Sequence, residues 1–337
     1  MKELYPWQSE TWQSLQGFRG RMPHALLLKG AQGIGKLEIG LIFAQSLLCS
    51  KPSESGMPCC QCDSCRWFEQ GTHPDFRLIQ PDALSALEEG KEKEGGKKPS
   101  REISVDQIRE LATFANLSAH QGGYRIILVH PAEAMNTNSA NALLKTLEEP
   151  TDRLFFILVS HKPQQLLATI LSRCLSLVVN TPSIEMGTAW LKAQGVKNPE
   201  IALALSGFAP LQALQQSELG EEAEEINSLI AEIQIPHKFN ALAIAEKLQR
   251  TAPNLVVHCL QQWCYDLASA KLTGRVRYFP DKLDLITKLS ADISSMQLLR
   301  FQSELKIAKR ESFHPLNARL QFESIFLSYR QLFASSK

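Results

Sequence analysis

KGAQGIGKLEIG, residues 29–40, follows the short apolar run HALLLK (24–29) and opens LEIGLIFAQSLLC, a stretch with helical periodicity. Strand, glycine-rich loop and helix in that order are the context a phosphate-gripping loop requires. Gly30, Gly35 and Lys36 stand at the G-x-x-x-x-G-K positions, and Gly33 lies between them. Closely spaced glycines let backbone N–H groups face phosphate oxygens at a helix N-terminus, and the lysine reaches the outer phosphates. The bland alternative is a turn that binds nothing. One part is absent: the residue after Lys36 is Leu37, which has no hydroxyl to offer a magnesium ion.

The same deficiency recurs downstream. Apolar runs at FRLIQ (76–80), YRIILVH (124–130), LFFILV (154–159) and LSLVV (175–179) alternate with amphipathic helical patterns, which predicts an α/β unit with a parallel, helix-covered sheet. RIILVH ends in His130-Pro131-Ala132, where a hydrolase places an acidic residue for the metal. Glu133 reads as too far from the strand end to replace it. Phosphoryl transfer depends on electrostatic positioning, so the fold is expected to persist without the chemistry. Docking of ATP or ADP on Gly30, Gly33, Gly35 and Lys36 stays open.

Cys59-x-x-Cys62-x-x-Cys65 follows Cys49 closely, with Cys60 beside Cys59. Four thiolates from Cys49, Cys59, Cys62 and Cys65 can close a tetrahedral structural Zn²⁺ site with no position left for substrate. The even two-residue spacing favours Cys59 over Cys60 without deciding between them. Reduced free thiols and an iron–sulfur cluster are the alternatives. A nucleic-acid-binding knuckle is a weaker one, because few basic or aromatic side chains beyond Arg66, Trp67 and Phe68 accompany the cysteines.

The chain of 337 residues is long enough for two or three domains. Residues 1–180 form the α/β part, carrying the cysteine module (49–65) and an insertion (83–101) whose mixed charges, Gly, Ser and Pro read as a solvated, mobile loop. Residues 181–217 read as a small helical unit and 218–337 as helical throughout. Val256, Leu260, Trp263 and Leu267 share one helix face, a core stripe. With Lys+Arg 36 against Asp+Glu 35 the net charge is +1, so any nucleic-acid contact is local or shared with partners. No segment reaches the roughly 18 apolar residues of a membrane span, and no signal-type stretch opens the chain; a cytoplasmic location without membrane partners is the expectation.

These residues, with SANALLKTLEEP (139–150), Ser172-Arg173-Cys174, GTHPDF (71–76), LLATILSRC (166–174) and HPLNARLQFESIFLSY (314–329), resemble the delta-prime family of bacterial DNA polymerase III clamp-loader subunits, within the AAA+ proteins. The resemblance implies a RecA-like AAA+ domain, a helical lid domain (181–217) and a C-terminal helical collar (218–337). It also implies a five-subunit ring with motor subunits and delta, which opens the sliding clamp and loads it onto primed DNA. Arg173 is then an arginine finger serving in trans at a neighbour's ATP site, and polymerase activity belongs only to the complex. The bland reading of Arg173 is a surface salt bridge. LLKTLEEP reads as core, through Leu143, Leu144 and Leu147, with no chemistry. Ser160 is similar to the polar sensor position of related ATPases. Leu211 stands where a motor subunit carries a nucleotide-contacting arginine, a third departure after Leu37 and His130. Retention of Lys36 runs the other way. The rival reading is an active, motor-like ATPase subunit with an unorthodox magnesium site.

Overall fold

Five apolar runs form five strands: β1 (Ala25–Lys29), β2 (Phe76–Ile79), β3 (Arg125–Val129), β4 (Leu154–Ser160) and β5 (Leu175–Val178). They make one parallel sheet in the order β2-β3-β4-β1-β5. β3 and β4 are buried along their whole length and β1 at all but Lys29, as expected of strands covered on both faces. The computed structural model describes residues 3–89, 99–115, 120, 123–218, 221–312 and 317–334. Two units are distinguished, Met1–Ser183 and Ile184–Lys337.

In the first unit the helices are α1 (Ser9–Gly17), α2 (Lys36–Leu48), α3 (Asp63–Glu69), α4 (Asp82–Glu89), α5 (Val105–Ala115), α6 (Thr137–Glu148) and α7 (Ala168–Arg173). Leu143 and Leu147 of α6 and Ile108 and Leu111 of α5 pack with Leu27, Ile127, Phe156 and Leu158; Leu144 is only partly buried against the same cluster. Phe43 of α2 meets Phe155 edge to face at 6.1 Å, among the residues of the sheet that α5 and α6 do not cover. Asn136 caps α6 by accepting from Ser139 N at 3.0 Å. β1 lies between β4 and β5, so the loop after it opens at an interior position of the sheet's carboxyl rim, where parallel α/β sheets gather their sites.

The stretch expected as a loop insertion over 83–101 starts instead as a helix, α4. Ala, Leu and Glu in ALSALEE are strong helix formers, and local propensity there outweighs the mixed charge that suggested a loop. Residues 90–98 of the insertion, and 314–316 of the C-terminal motif, lie outside the described residues.

The second unit is helical throughout its described residues: α8 (Ile184–Ala193), α9 (Pro199–Leu205), α10 (Pro210–Ser217), α11 (Glu221–Ile233), α12 (Ala241–Lys247), α13 (Pro253–Thr273), α14 (Leu283–Ala291), α15 (Ser295–Glu311) and α16 (Ala318–Gln331). α8 to α10 enclose a small core of Leu191, Val196, Leu203 and Ala213. The larger core is built on α13, whose Val256, Leu260, Trp263 and Leu267 are fully buried. Trp263 Nε1 donates to Tyr329 Oη at 3.0 Å, and Tyr329 in turn donates to Ile233 O at 2.7 Å. The buried Asp266 carboxylate accepts from the backbone N–H groups of Arg277, Tyr278 and Phe279, each at 2.8 Å. The expected combination of a parallel α/β unit with an all-α remainder is therefore present. Among the described residues, no helix is long and apolar enough to cross a membrane.

Candidate functional site

β1 delivers Gly30 against Val179 at the end of β5, so tightly that a Cβ on Gly30 would lie 2.5 Å from the Val179 carbonyl oxygen. The loop then turns through Gly33 and Gly35, both at positive φ (76° and 85°), conformations that cost glycine least. Lys36 opens α2 with a side chain only 2% exposed, and its ammonium donates to the Ala31 carbonyl of its own loop. Burial lowers its pKa to about 8, against the opposing pull of Glu133 and Glu38. The lysine is thus turned onto the loop backbone.

The N-terminal turn Pro6–Gln8 is seated on this loop. Trp7 Nε1 donates to Ile34 O at 2.9 Å and Gln8 Nε2 to Gly35 O at 2.6 Å, while Gln8 Oε1 accepts from Tyr5 N at 3.1 Å. A Cβ on Gly35 would collide with Gln8 Nε2 and the Tyr5 ring. Burial, then the charge of Glu38, pushes the Tyr5 hydroxyl up to about 12. These strap residues precede the loop by 27 positions in the case of Gln8 and Gly35; the dense aromatic stretch YPW was the available signal.

At the ends of β3 and β4 the sequence-based expectation for Glu133 is corrected. A 3-10 turn, Ala132–Ala134, brings its carboxylate beside the end of β4, where both oxygens accept from His161 N at 2.9 and 3.2 Å. Its charge acts on Lys36 and on His130. An acid therefore stands in electrostatic reach of the loop lysine, although no hydroxyl follows that lysine. The His130 and His161 rings meet edge to face at 5.2 Å. Burial lowers His130 to about 4, with Glu133 opposing; it lowers His161 to about 3, helped by Lys36 and His130. Ser160 is fully buried, and its Oγ accepts from Lys162 N at 3.2 Å.

Cys49 at the end of α2, Cys59 and Cys62 in the following loop, and Cys65 in α3 bring four sulfurs within 4.8 Å of one another. Cys49 and Cys62 Sγ are 3.9 Å apart and Cys59 and Cys65 Sγ 4.0 Å, close to the edge of about 3.8 Å that a tetrahedron of ~2.3 Å metal–sulfur bonds requires. Cys60 is outside the group; its φ is 54° and its thiol donates to Pro58 O. The cluster is latched to α2 and to the segment before β2. Ser64 Oγ donates to Leu48 O at 2.6 Å and meets His73 Nε2 at 2.9 Å, while His73 Nδ1 accepts from Asp75 N at 3.0 Å. That pattern fixes the neutral tautomer with the proton on Nε2. Asp75 Oδ1 also accepts from His120 N at 2.8 Å, which gives GTHPDF a structural role.

Arg173 ends α7 on the amino rim of the sheet. One terminal nitrogen pairs with Glu148 Oε1 at 2.6 Å, the other donates to Thr169 O at 3.0 Å, and the side chain remains 33% exposed. Such a pair contributes at most about 1 kcal/mol at a surface. Because β1 and β5 run parallel with Leu26 opposite Leu175 and Lys29 opposite Val178, Arg173 and the loop lie at opposite ends of the sheet, more than about 10 Å apart at ~3.3 Å per residue. Leu211 lies in α10 of the second unit.

Residues 7–183 match a family model described as DNA polymerase III, delta subunit. A Pseudomonas aeruginosa protein named DNA polymerase III subunit delta' is 41% identical over 217 residues, 63% of this chain and 61% of its own length. The Escherichia coli (strain K12) protein of that name is 34% identical over 217 residues, 62% of this chain and 60% of its own. The DNA polymerase III subunit tau of Escherichia coli (strain K12) is 34% identical over 166 residues, 49% of this chain and 23% of its own length. The chain spans about three fifths of the length of the delta' relatives it matches. A solved Thermotoga maritima structure, titled as a gamma subunit-related protein of DNA polymerase III, aligns with 19% identity and a TM-score of 0.46, covering 96% of this chain and 98% of its own.

Proposed function

Because the chain belongs to the DNA polymerase III delta subunit family, we propose that it is a non-hydrolysing clamp-loader subunit that lends Arg173 to the ATP site of a neighbouring motor subunit. It assembles with motor subunits and delta, and through that complex helps open the sliding clamp and load it on primed DNA. The observation that carries this reading is the state of its own loop: Leu37 follows Lys36, whose ammonium is turned onto Ala31 O. A pocket without the hydroxyl ligand and with its lysine so engaged lacks the charge compensation that phosphoryl transfer needs. The separation of Arg173 from that loop supports service in trans, since a guanidinium at the far rim has no access to the chain's own loop.

Residues 181–217 act as a lid and 218–337 as the collar through which subunits associate. Cys49, Cys59, Cys62 and Cys65 hold a structural Zn²⁺, which would fold the module and offers no open coordination position. Glu133 favours one competing reading, an active ATPase with an atypical magnesium site, because its carboxylate lies near Lys36.

Phosphate release from magnesium-ATP decides between them. The isolated chain is expected to stay at background, and Arg173→Ala is expected to lower the ATPase of the reconstituted complex by about tenfold or more without loss of assembly on gel filtration. Turnover by the isolated chain would reject the non-hydrolysing reading. An unaltered complex ATPase would reject the finger.

A further inference from the structure

Glu148 sits in the last turn of α6, where the helix dipole disfavours a carboxylate. Its intrinsic setting does not account for it, but its partner does: Glu148 Oε1 lies 2.6 Å from the guanidinium of Arg173, at the end of α7. Arg173 is held on its own subunit at both terminal nitrogens, by Glu148 at one and at the other by the Thr169 carbonyl, 3.0 Å away, and the Ser172 hydroxyl, 3.4 Å away. These contacts do not consume all the N–H groups of a guanidinium, which has five. The side chain keeps a third of its surface exposed, so the donors not aimed at Glu148, Thr169 and Ser172 remain available.

We propose that Glu148 is a positioning residue for the arginine finger. The inference rests on the trans role assigned to Arg173 above. An unrestrained arginine carries rotamer entropy that must be lost on reaching a phosphate. Two anchors placed on rigid helix ends remove part of that loss before the neighbour's nucleotide arrives, which is the general means by which a site is preorganised. The pair is half-exposed and weak, so its effect falls on the geometry of the finger rather than on the stability of the fold. α6, read from its sequence as a core helix without chemistry, then has a second duty: its buried leucines set the position of the carboxylate that steadies Arg173.

Four reconstituted complexes test this, carrying wild-type chain, Glu148→Gln, Arg173→Ala or both substitutions. Glu148→Gln is expected to lower kcat for ATP about three- to tenfold with KM nearly unchanged, and the double variant to match Arg173→Ala alone. Glu148→Asp, which keeps the charge on a shorter stem, is expected to recover part of the rate. If Arg173→Ala lowers activity while Glu148→Gln behaves as wild type, or if the two losses multiply, the positioning role is overturned and the finger stands. If Arg173→Ala is itself silent, the underlying reading fails and this proposal with it. In the isolated chain, phenylglyoxal is expected to modify Arg173 several-fold faster in Glu148→Gln than in wild type, read by peptide mass spectrometry. Equal rates would show that the pair does not restrain the side chain in solution and would also overturn the proposal.

Discussion

His130 and His161 show how single residues shape the rim beside the glycine-rich loop. Both are held neutral by burial, with values lowered to about 4 and about 3, while the unfolded chain protonates such rings near 6.5. Each therefore contributes stability that is complete above pH ~6.5 and is lost as pH falls toward its folded value, because the unfolded state binds protons first. Urea unfolding at pH 7.5 and at pH 5 is expected to show wild type losing on the order of 1–2 kcal/mol more than His161→Phe over that interval. Parallel pH dependences would contradict it. His130 was legible in the sequence as a replaced acid. Glu133 was not, because only the 3-10 turn after Pro131 shows that a residue four positions beyond β3 can bring its carboxylate to the end of β4. The Gln8 amide on Gly35 and Glu148 on Arg173 escaped for a similar reason: partners distant in sequence carry no periodic or motif signal.

At the scale of elements, the strands were the easiest part to read. Each is a continuous apolar run, and burial on both faces of a parallel sheet demands that pattern. The helix α4 is masked in the sequence because its Ala, Leu and Glu lie beside a charge-mixed, Gly-rich stretch. Even spacing pointed to Cys59, but the fold separates it from Cys60 by turning the Cys60 backbone to positive φ and its thiol toward Pro58. The loop between α2 and α3, KPSESGMPCCQ (51–61), has few apolar side chains to pack, so a bound metal is expected to supply its folding energy, on the order of 10 kcal/mol for such sites. Purified protein should hold one zinc per chain and be colourless. After metal release by a mercurial, amide protection should fall in α3 and persist in β3 and β4. Iron absorbance, or protection of α3 that survives metal release, would be the contrary result.

For the whole molecule, charge and strand direction matter most. A net charge of +1 leaves no general field for polyanions. The isolated chain is expected to bind primed DNA more weakly than about 10 μM at 150 mM salt, with a shallow salt dependence; a steep slope in a filter-binding titration would reveal a concentrated basic surface. The division into α/β and helical parts was legible because apolar runs of strand length end with β5, and helical periodicity takes over from there. Strand direction has a further consequence. The loop after β1 and the arginine before β5 occupy opposite ends of parallel neighbours. A head-to-tail association that joins one protomer's guanidinium to another's glycine-rich loop is heterologous, front to back. Growth of such an assembly halts only where the curvature closes or where a differently shaped end-piece breaks the series.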